Sequence, residues 1–257
     1  MSNSEAAMSV LNWKIGFEIE LMAPRGLSRQ DLAESIASAN DAGVRRVFHP
    51  QSELSHVPGT PVFHNLTLGF EVIDRQGNAI ARCVDDLTLI NDLDKTHEPQ
   101  PGWYRIVSND TRFLQLVTCQ ADPACELSEV LKPIASLFAT TLEAGPGGMV
   151  RVADSTGNPI AIAAPLPGER ERPCELITPP IDVNHFERLE NFLSTSRSLG
   201  FTIPSEGATH LHFTLSNDER GAENSFGDGC PYCLLLQLRE AKLSPKHRLK
   251  HFIISRD

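Results

Sequence analysis

The clearest alternation of apolar and polar positions lies in residues 14–22, whose sequence is KIGFEIELM. Side chains on an extended chain point alternately to opposite faces, so this period of two predicts a half-buried strand. The polar face of that strand carries two carboxylates, Glu18 and Glu20, with Gly16 and Met22 beside them. The apolar face consists of Ile15, Phe17, Ile19 and Leu21.

Further strands are predicted where short apolar runs are bounded by turn-forming residues. Two β-hairpins are expected, one formed by residues 66–73 and 79–84 and the other by residues 148–153 and 159–164. Asp, Gly and Asn residues, which favour tight turns, fill both connections. Single strands are predicted at the remaining short runs, which are residues 103–107, 174–178, 207–215 and 249–254.

Helices are predicted where apolar residues recur with helical spacing. One helix is expected to begin at Ser28, which can form a capping box with Asp31, and to end at Gly43. The other predicted helices are residues 126–142, with a kink at Pro133, residues 182–199 and residues 231–242. Hairpins mixed with packed helices indicate an α+β fold with a largely antiparallel sheet.

Composition is typical of a globular protein, with 40% hydrophobic and 22% charged residues in a chain of 257. This length suffices for a sizeable core without disulfides or structural metals. Residues 1–12 are expected to form a flexible tail, and residues 13–257 a single catalytic-type domain. Because the sequence stops directly after a predicted apolar strand, we expect the domain to be shortened at its C-terminus.

The net charge of −10 argues against binding to nucleic acid or to an anionic membrane surface, and it suits a site that collects divalent cations. The sequence contains no apolar run of about 18 residues and no secretory signal. We therefore expect a cytoplasmic protein with reduced cysteines. Cys230 and Cys233 have the spacing of half a zinc site, but no second pair accompanies them, so ordinary thiols are favoured.

Ligand-type side chains concentrate on predicted strands. They are Glu18 and Glu20 in the first strand, Glu175 in CELITPP, and His210 and His212 in GATHLHFTL. Asp85 and Asp86 end a hairpin strand and add further carboxylates. Carboxylates with an imidazole are ligands for Mg²⁺ or Mn²⁺, whereas thiolates would have implied zinc. Each segment alone is more typical of a solvent-facing strand or a turn, so the prediction depends on their combination.

Taken in order, the sequences GFEIE, ELITPP and GATHLH, with an acidic hairpin end between the first two, resemble the motifs of a bacterial amidoligase family. That family resembles the carboxylate–amine ligases, which include glutamine synthetase and γ-glutamylcysteine synthetase. The resemblance covers roughly residues 14–215. It implies the fold of a glutamine synthetase catalytic domain, in which an antiparallel sheet backed by helices cradles ATP and divalent ions.

The resemblance also implies an activity. The chain would be an ATP- and Mg²⁺-dependent ligase, with Mn²⁺ as the alternative ion, that joins a carboxylate to an amine through an acyl-phosphate. Its partners would be small-molecule or peptide substrates. Since related ligases often assemble through sheet edges, a homo-oligomer is implied as well.

Roles for individual residues follow from the same resemblance. Glu18 and His210 would hold the metal ion that bridges the ATP phosphates, and His212 would be a ligand, a hydrogen-bond partner or a nucleotide contact. Glu20 and Glu175 would act in catalysis by holding the metal ion near the transferring phosphate. They would be joined by a third carboxylate, which is either Asp85 or Asp86.

Phosphate-binding arginines are expected in two places. Arg170 and Arg172, in GERERP, are candidates for a catalytic loop that closes over the phosphates, although a solvated charged loop explains them as well. The family also places arginines and a further acidic ligand near the C-terminus. The candidates there are Arg248 for nucleotide binding, Arg256 and Glu240.

Two other classes of function remain open. A metal-dependent hydrolase could use the same Glu/His cluster, and it would need no nucleotide. A non-catalytic scaffold could bind metal or nucleotide, and it would show no coupling between the two. No G-x-S-x-G or H-E-x-x-H motif is present, and Cys174 is expected to be a core thiol.

Overall fold

The computed structural model describes residues 12–54, 59, 62–86, 102–166, 173–181, 186–204, 207–216 and 234–239. This part of the chain forms one 11-stranded sheet in which every pairing is antiparallel. The strands are β1 (Asn12–Met22), β2 (Gly43–Leu54), β3 (Val62–Ile73), β4 (Ala79–Asp85), β5 (Tyr104–Ser108), β6 (Leu142–Ala144), β7 (Val150–Ala153), β8 (Pro159–Pro165), β9 (Pro173–Ile177), β10 (Ala208–Ser216) and β11 (Leu234–Arg239).

The order of strands across the sheet is β11-β10-β1-β9-β4-β3-β5-β8-β7-β6, and β2 pairs with β3. β2 covers one edge of β3 along its whole length. The other edge of β3 pairs with β4 at residues 70–73 and with β5 at residues 64–67. The sheet therefore divides at Leu68 and Gly69, where neither β4 nor β5 continues the ladder.

Helices cover one face of the sheet. They are α1 (Arg29–Ala39), α2 (Thr111–Gln120), α3 (Leu127–Val130), α4 (Lys132–Leu137) and α5 (Phe186–Ser198). Leu32 and Ile36 of α1 and Phe192 of α5 pack against Ile19 and Leu176 of the sheet. A second apolar cluster joins α2, α3 and α4 to the β5 side of the sheet. The expected α+β fold with a largely antiparallel sheet is confirmed. The opposite face of the sheet carries polar side chains together with apolar ones such as Val84 and Ile177.

The start of α1 agrees with the sequence, but its end does not. Ser28 caps the helix and forms the expected capping box with Asp31. The helix stops at Asn40 rather than at Gly43, because the Asn40 side chain donates to the Ile36 carbonyl and the next residue, Asp41, is left-handed with φ of 54°. Gly43 is already the first residue of β2.

Two other predicted helices are wrong. Residues 126–142 form the short helices α3 and α4 and the start of β6, because Pro133, in the first turn of α4, lacks the N–H that a continuous helix needs. The predicted helix at 231–242 is the strand β11, which pairs with residues 208–213 of β10. Its short apolar run, LLLQLR, fits either structure by periodicity, and the open edge of β10 favours the strand.

The remaining predicted elements agree with the described residues or lie outside them. The strand at 14–22, the hairpin of β7 and β8 and the strands at 103–107, 174–178 and 207–215 are present within two residues, and the predicted helix at 182–199 is α5 over its described residues. The hairpin of β3 and β4 is also present, but β3 begins at Val62, four residues before the predicted start. β2, α2 and β6 were not predicted. The strand at 249–254 and the tail lie outside the described residues, apart from Asn12, which begins β1. No helix in the described part of the chain is long and apolar enough to cross a membrane.

Candidate metal centre

The polar face of β1 lies at the middle of the candidate site because β1 pairs with β9 on one side and with β10 on the other. Glu20 stands directly opposite Glu175 of β9, and Glu18 stands directly opposite His210 of β10. Directly opposed residues in an antiparallel pair share a face. The intervening residue, Ile19, is buried in the core on the helix side.

Glu20, Asp86 and Glu175 form an acidic triad. One carboxylate oxygen from each lies within 4.8 Å of the others. Glu20 and Asp86 are buried, and Glu175 is half-buried. The Asp86 N–H donates to the carbonyl of Pro173, the first residue of β9, over 3.2 Å, and this hydrogen bond holds the end of β4 beside Glu175.

Asp85 points to the opposite face of the sheet. It stands opposite Cys174, whose side chain belongs to the core. Its Oδ1 lies 3.5 Å from Nη1 of Arg29, and both side chains are buried. Arg29 also donates from Nε to the carbonyl of Leu68 over 2.8 Å, at the point where the sheet divides. Of the two aspartates left open by the sequence, the structure brings Asp86 to Glu20 and Glu175 and keeps Asp85 in the core.

A second cluster joins Glu18 to both histidines of β10. His210 Nδ1 lies 3.2 Å from Oε2 of Glu18, and His212 Nε2 lies 3.0 Å from Oε1. Burial alone would raise the pKa of Glu18, but its hydrogen bonds with the two histidines outweigh burial and lower the pKa to about 2. The hydrogen bond with Glu18 in turn raises the pKa of His210. Glu18 is therefore held ionised between two imidazoles.

Glu175 behaves in the opposite way. Burial, followed by the negative charges of Asp86, Glu18 and Glu20, raises the pKa of Glu175 to about 9. Carboxylates crowded at this distance cannot all ionise without a compensating positive charge. An oxygen-only donor set with excess negative charge fits Mg²⁺ or Mn²⁺, which prefer carboxylate ligands.

Arg82 adds a positive charge to this face of the sheet. It stands opposite Ile177 of β9, which in turn stands opposite Glu18. Arg82 Nη2 donates to Oε1 of the buried Glu71 over 2.6 Å, and Arg45 Nε donates to Oε2 over 2.8 Å. Arg82 was not singled out from the sequence, although it is in phase with Asp86 along β4 and therefore shares its face.

The end of the ELITPP segment fixes β1 against β9. The Phe17 N–H donates to Thr178 Oγ1 over 3.0 Å, and the Thr178 N–H donates to the Phe17 carbonyl over 2.8 Å. The chain then passes through the two prolines and pairs again with β1, at Ile15 and Ile181. The hydrogen bonds of Thr178 with Phe17 extend the pairing of β1 with β9 up to Pro179. Thr178 therefore helps to hold Glu18 and Glu20 in register with Glu175.

Several candidates from the sequence lie outside the described residues: Arg170, Arg172, Arg248, Arg256, Glu240, Cys230 and Cys233. Cys174 lies in the core, where burial raises the pKa of its thiol well above the ordinary value. A nucleophilic thiolate at that position is therefore disfavoured.

Comparison with protein-family models gives a match that covers most of the chain. A family model described as "Putative amidoligase enzyme" matches residues 11–226. Neither the curated proteins nor the solved structures include a match to the chain. The matched span contains the acidic triad, Glu18 and both histidines of β10.

Proposed function

The chain belongs to the amidoligase family, and from this premise we propose that it is an ATP- and Mg²⁺-dependent ligase that joins a carboxylate to an amine through an acyl-phosphate. The family indicates a ligase that forms amide bonds. The nucleotide, the metal ion and the intermediate are our proposal. The observation that carries it is the convergence of Glu20, Asp86 and Glu175 on the face of the sheet opposite the described helices.

The proposed metal positions follow from the two clusters. Glu20, Asp86 and Glu175 would hold one divalent ion, while Glu18 with His210 would hold a second, next to the triad along β1. Bound ions would neutralise phosphate charge and align the reacting groups. His212, which shares Glu18 with His210, keeps the Glu18 carboxylate oriented towards this position.

The proposed reaction has two steps, phosphorylation of the acid and attack by the amine. A carboxylate oxygen of the acid attacks the γ-phosphorus of ATP, and ADP leaves. The amine nitrogen then attacks the acyl carbon, phosphate leaves, and one proton passes from the nitrogen to a base. Arg82, which Glu71 holds on the same face, supplies a fixed positive charge towards which an anionic substrate group can orient.

The test is ADP release in the presence of pooled carboxylates labelled with ¹⁸O and pooled amines. Transfer of one ¹⁸O atom into inorganic phosphate shows that the acid was phosphorylated. We expect the native chain to produce labelled phosphate and Glu20→Ala to produce none. Glu143→Gln is the matched control because Glu143 is exposed and pairs with Arg151 on β7, far from β1 in the strand order.

The same assay separates the alternatives. Amide hydrolysis without ATP consumption would identify a metal-dependent hydrolase. Glu20→Ala is expected to fold normally and to be at least as stable without metal as the native chain, since it removes one of the crowded carboxylates. An equal loss of thermal stability in metal-free buffer would instead assign Glu20 a structural role.

A further inference from the structure

A row of buried and half-buried polar side chains lies on the same face of the sheet as the acidic triad. We call His49, Gln51, Asn65 and Thr67 the polar row. His49 stands opposite Thr67, and Gln51 stands opposite Asn65, across β2 and β3. Their neighbours Leu66 and Leu68 point to the other face and belong to the core, so the polar row faces away from the helices.

The polar row contains hydrogen-bonding atoms that nothing in the described part of the chain satisfies. They are Nδ1 of His49, Oε1 of Gln51, Oγ1 of Thr67 and both Oδ1 and Nδ2 of Asn65. Asn65 and Thr67 are 0% exposed. Burying an unsatisfied polar group costs free energy, and folded proteins seldom place several side by side. A ligand that both donates and accepts hydrogen bonds would offset that cost.

The polar row adjoins the triad. Gln51 Nε2 donates to the main-chain carbonyl of Asp85, the residue before Asp86. In the strand order, β9 and β4 carry Glu175 and Asp86, with β10 and β1 on one side of them and β3 and β2 on the other. The polar row and the histidines of β10 therefore lie on opposite sides of the triad.

We propose that the polar row is a substrate subsite that binds an uncharged amide group, either a carboxamide or a peptide unit. This inference rests on the proposed function, because it assigns the amide to the acid or the amine that the ligase joins. The Asn65 side chain matches an amide with one donor and one acceptor. Gln51 offers a further acceptor in Oε1. The Thr67 hydroxyl and His49 Nδ1 are two more groups that can hydrogen-bond to the amide.

A charged group fits the polar row less well. A carboxylate or phosphate only accepts hydrogen bonds, and it would face the acceptor oxygens of Gln51 and Asn65 without satisfying them. Burial, reinforced by the charge of Arg82, lowers the pKa of His49 to about 4, so the imidazole brings no positive charge at neutral pH. A nucleotide base also donates and accepts, but Glu18 and His210, which would hold the metal ion proposed to bind the ATP phosphates, lie on the far side of the triad.

The experiment compares matched probes by isothermal titration calorimetry on the full chain in Mg²⁺. L-Glutamine against L-glutamate tests a carboxamide. Alanyl-alanine against alanyl-lactate, an ester that lacks the N–H, tests a peptide unit. We expect one of the two amides to bind at least about tenfold more tightly than its control. A site that binds a hydrogen-bond donor discriminates against an analogue without the N–H group. The pair that discriminates identifies the source of the amide.

Variants separate binding from structure. Thr67→Val keeps the shape of the side chain and removes a hydroxyl that makes no hydrogen bond to the described residues. It should therefore lose amide affinity by about tenfold while its melting temperature stays equal or rises. Ser108→Ala is the matched control, because the Ser108 hydroxyl is buried and donates to the Ile160 carbonyl over 2.8 Å. Its melting temperature should fall with amide affinity unchanged.

Three results would overturn the proposal. The first is that neither amide binds better than its control, and a complete absence of binding counts as this result. The second is that Thr67→Val lowers the melting temperature, as Ser108→Ala does, and leaves the amide affinity unchanged. The third is that Thr67→Val weakens ATP binding instead of amide binding, which would assign the polar row to the nucleotide. ADP release is measured on the same samples, so a ligase without an amide subsite is distinguished from an amide-binding chain without ligase activity.

Discussion

Asp85 and Asp86 show how strand geometry decides the role of a single residue. The two side chains are adjacent in sequence, yet one pairs with Arg29 in the core and the other joins Glu20 and Glu175. Substituting either by asparagine removes one negative charge and preserves the shape of the side chain. The pair is therefore an internal control for the proposed metal site.

We predict opposite effects for the two substitutions. Asp86→Asn should weaken Mn²⁺ binding by about tenfold or more and leave the metal-free protein equally or more stable, because it relieves repulsion in the triad. Asp85→Asn should retain Mn²⁺ binding and lower the free energy of unfolding by about 3 kcal/mol, since it removes the negative charge that Asp85 places beside the buried Arg29. Chemical unfolding and metal titration of both variants check this, and reversed effects would contradict the assignment.

The pKa of Glu175 leads to a second prediction. Unfolded Glu175 loses its proton near its ordinary value of 4.5, whereas the folded side chain keeps it up to about pH 9. Between those values the folded state binds one proton more, so the free energy of unfolding of the metal-free protein should fall as pH rises. The contribution of one proton is at most about 1.4 kcal/mol per pH unit.

Glu175→Gln isolates this contribution, because it removes the titrating group and keeps the shape. Urea unfolding in EDTA at about pH 6 and pH 8 should show a smaller loss of stability with pH for the variant than for the native chain. His210, whose pKa is also raised, contributes a loss of the same sign in both proteins and cancels from the difference. Equal pH dependence in the two proteins would show that Glu175 is ionised throughout this range.

Alternation in the sequence placed some site residues on the correct face but not others. The period of two in 14–22 puts Glu18 and Glu20 on one face, and the register of β1 with β9 and β10 agrees with it. Asp85 and Asp86 could not be separated, since they lie where the strand ends. Arg82 and the polar row were missed because their significance depends on which strands are neighbours, and the pattern of a single strand does not contain that information.

The Thr178 side chain links β1, which carries Glu20, to the end of β9, which carries Glu175. Thr178 accepts a hydrogen bond from the Phe17 N–H through Oγ1. We predict that Thr178→Val lowers the free energy of unfolding by about 1–3 kcal/mol, because the Phe17 donor is left unsatisfied, and also weakens Mn²⁺ binding by loosening β1 against β9. Thr118→Val is the control. It removes a hydroxyl that donates to the Leu114 carbonyl within α2, so metal binding should not change.

The two hairpins that the sequence predicted share a local signal that β2 and β11 lack. Both hairpins have Asp at the start and Asn at the end of their turns, and in each turn the Asp accepts the hydrogen bonds that close it. The connection between β2 and β3 lacks this pair of Asp and Asn, and β2 pairs along the whole of β3. β11 was taken for a helix because its apolar run is short, and only the neighbouring edge of β10 determines its structure.

For the whole molecule, the sheet has an apolar face under the helices and an opposite face that carries the acidic triad. A metal ion bound at the proposed site would stabilise only the folded state. We predict that Mg²⁺ or Mn²⁺ raises the free energy of unfolding by about 2.7 kcal/mol at a hundredfold excess over the dissociation constant. The increase should be larger at higher pH, since binding must displace the Glu175 proton. Thermal melts at two pH values check both parts, and no shift with either ion would remove the metal site.

The most direct test of the central claim is a Mn²⁺ titration of the full chain, followed by the electron paramagnetic resonance signal of free Mn²⁺. We expect Mn²⁺ to bind to the native chain and to bind more tightly when ATP is present. We also expect the affinity for Mn²⁺ to fall by about tenfold or more in Asp86→Asn but not in Asp85→Asn. Absence of Mn²⁺ binding with and without ATP, or full affinity in Asp86→Asn, would contradict the central claim.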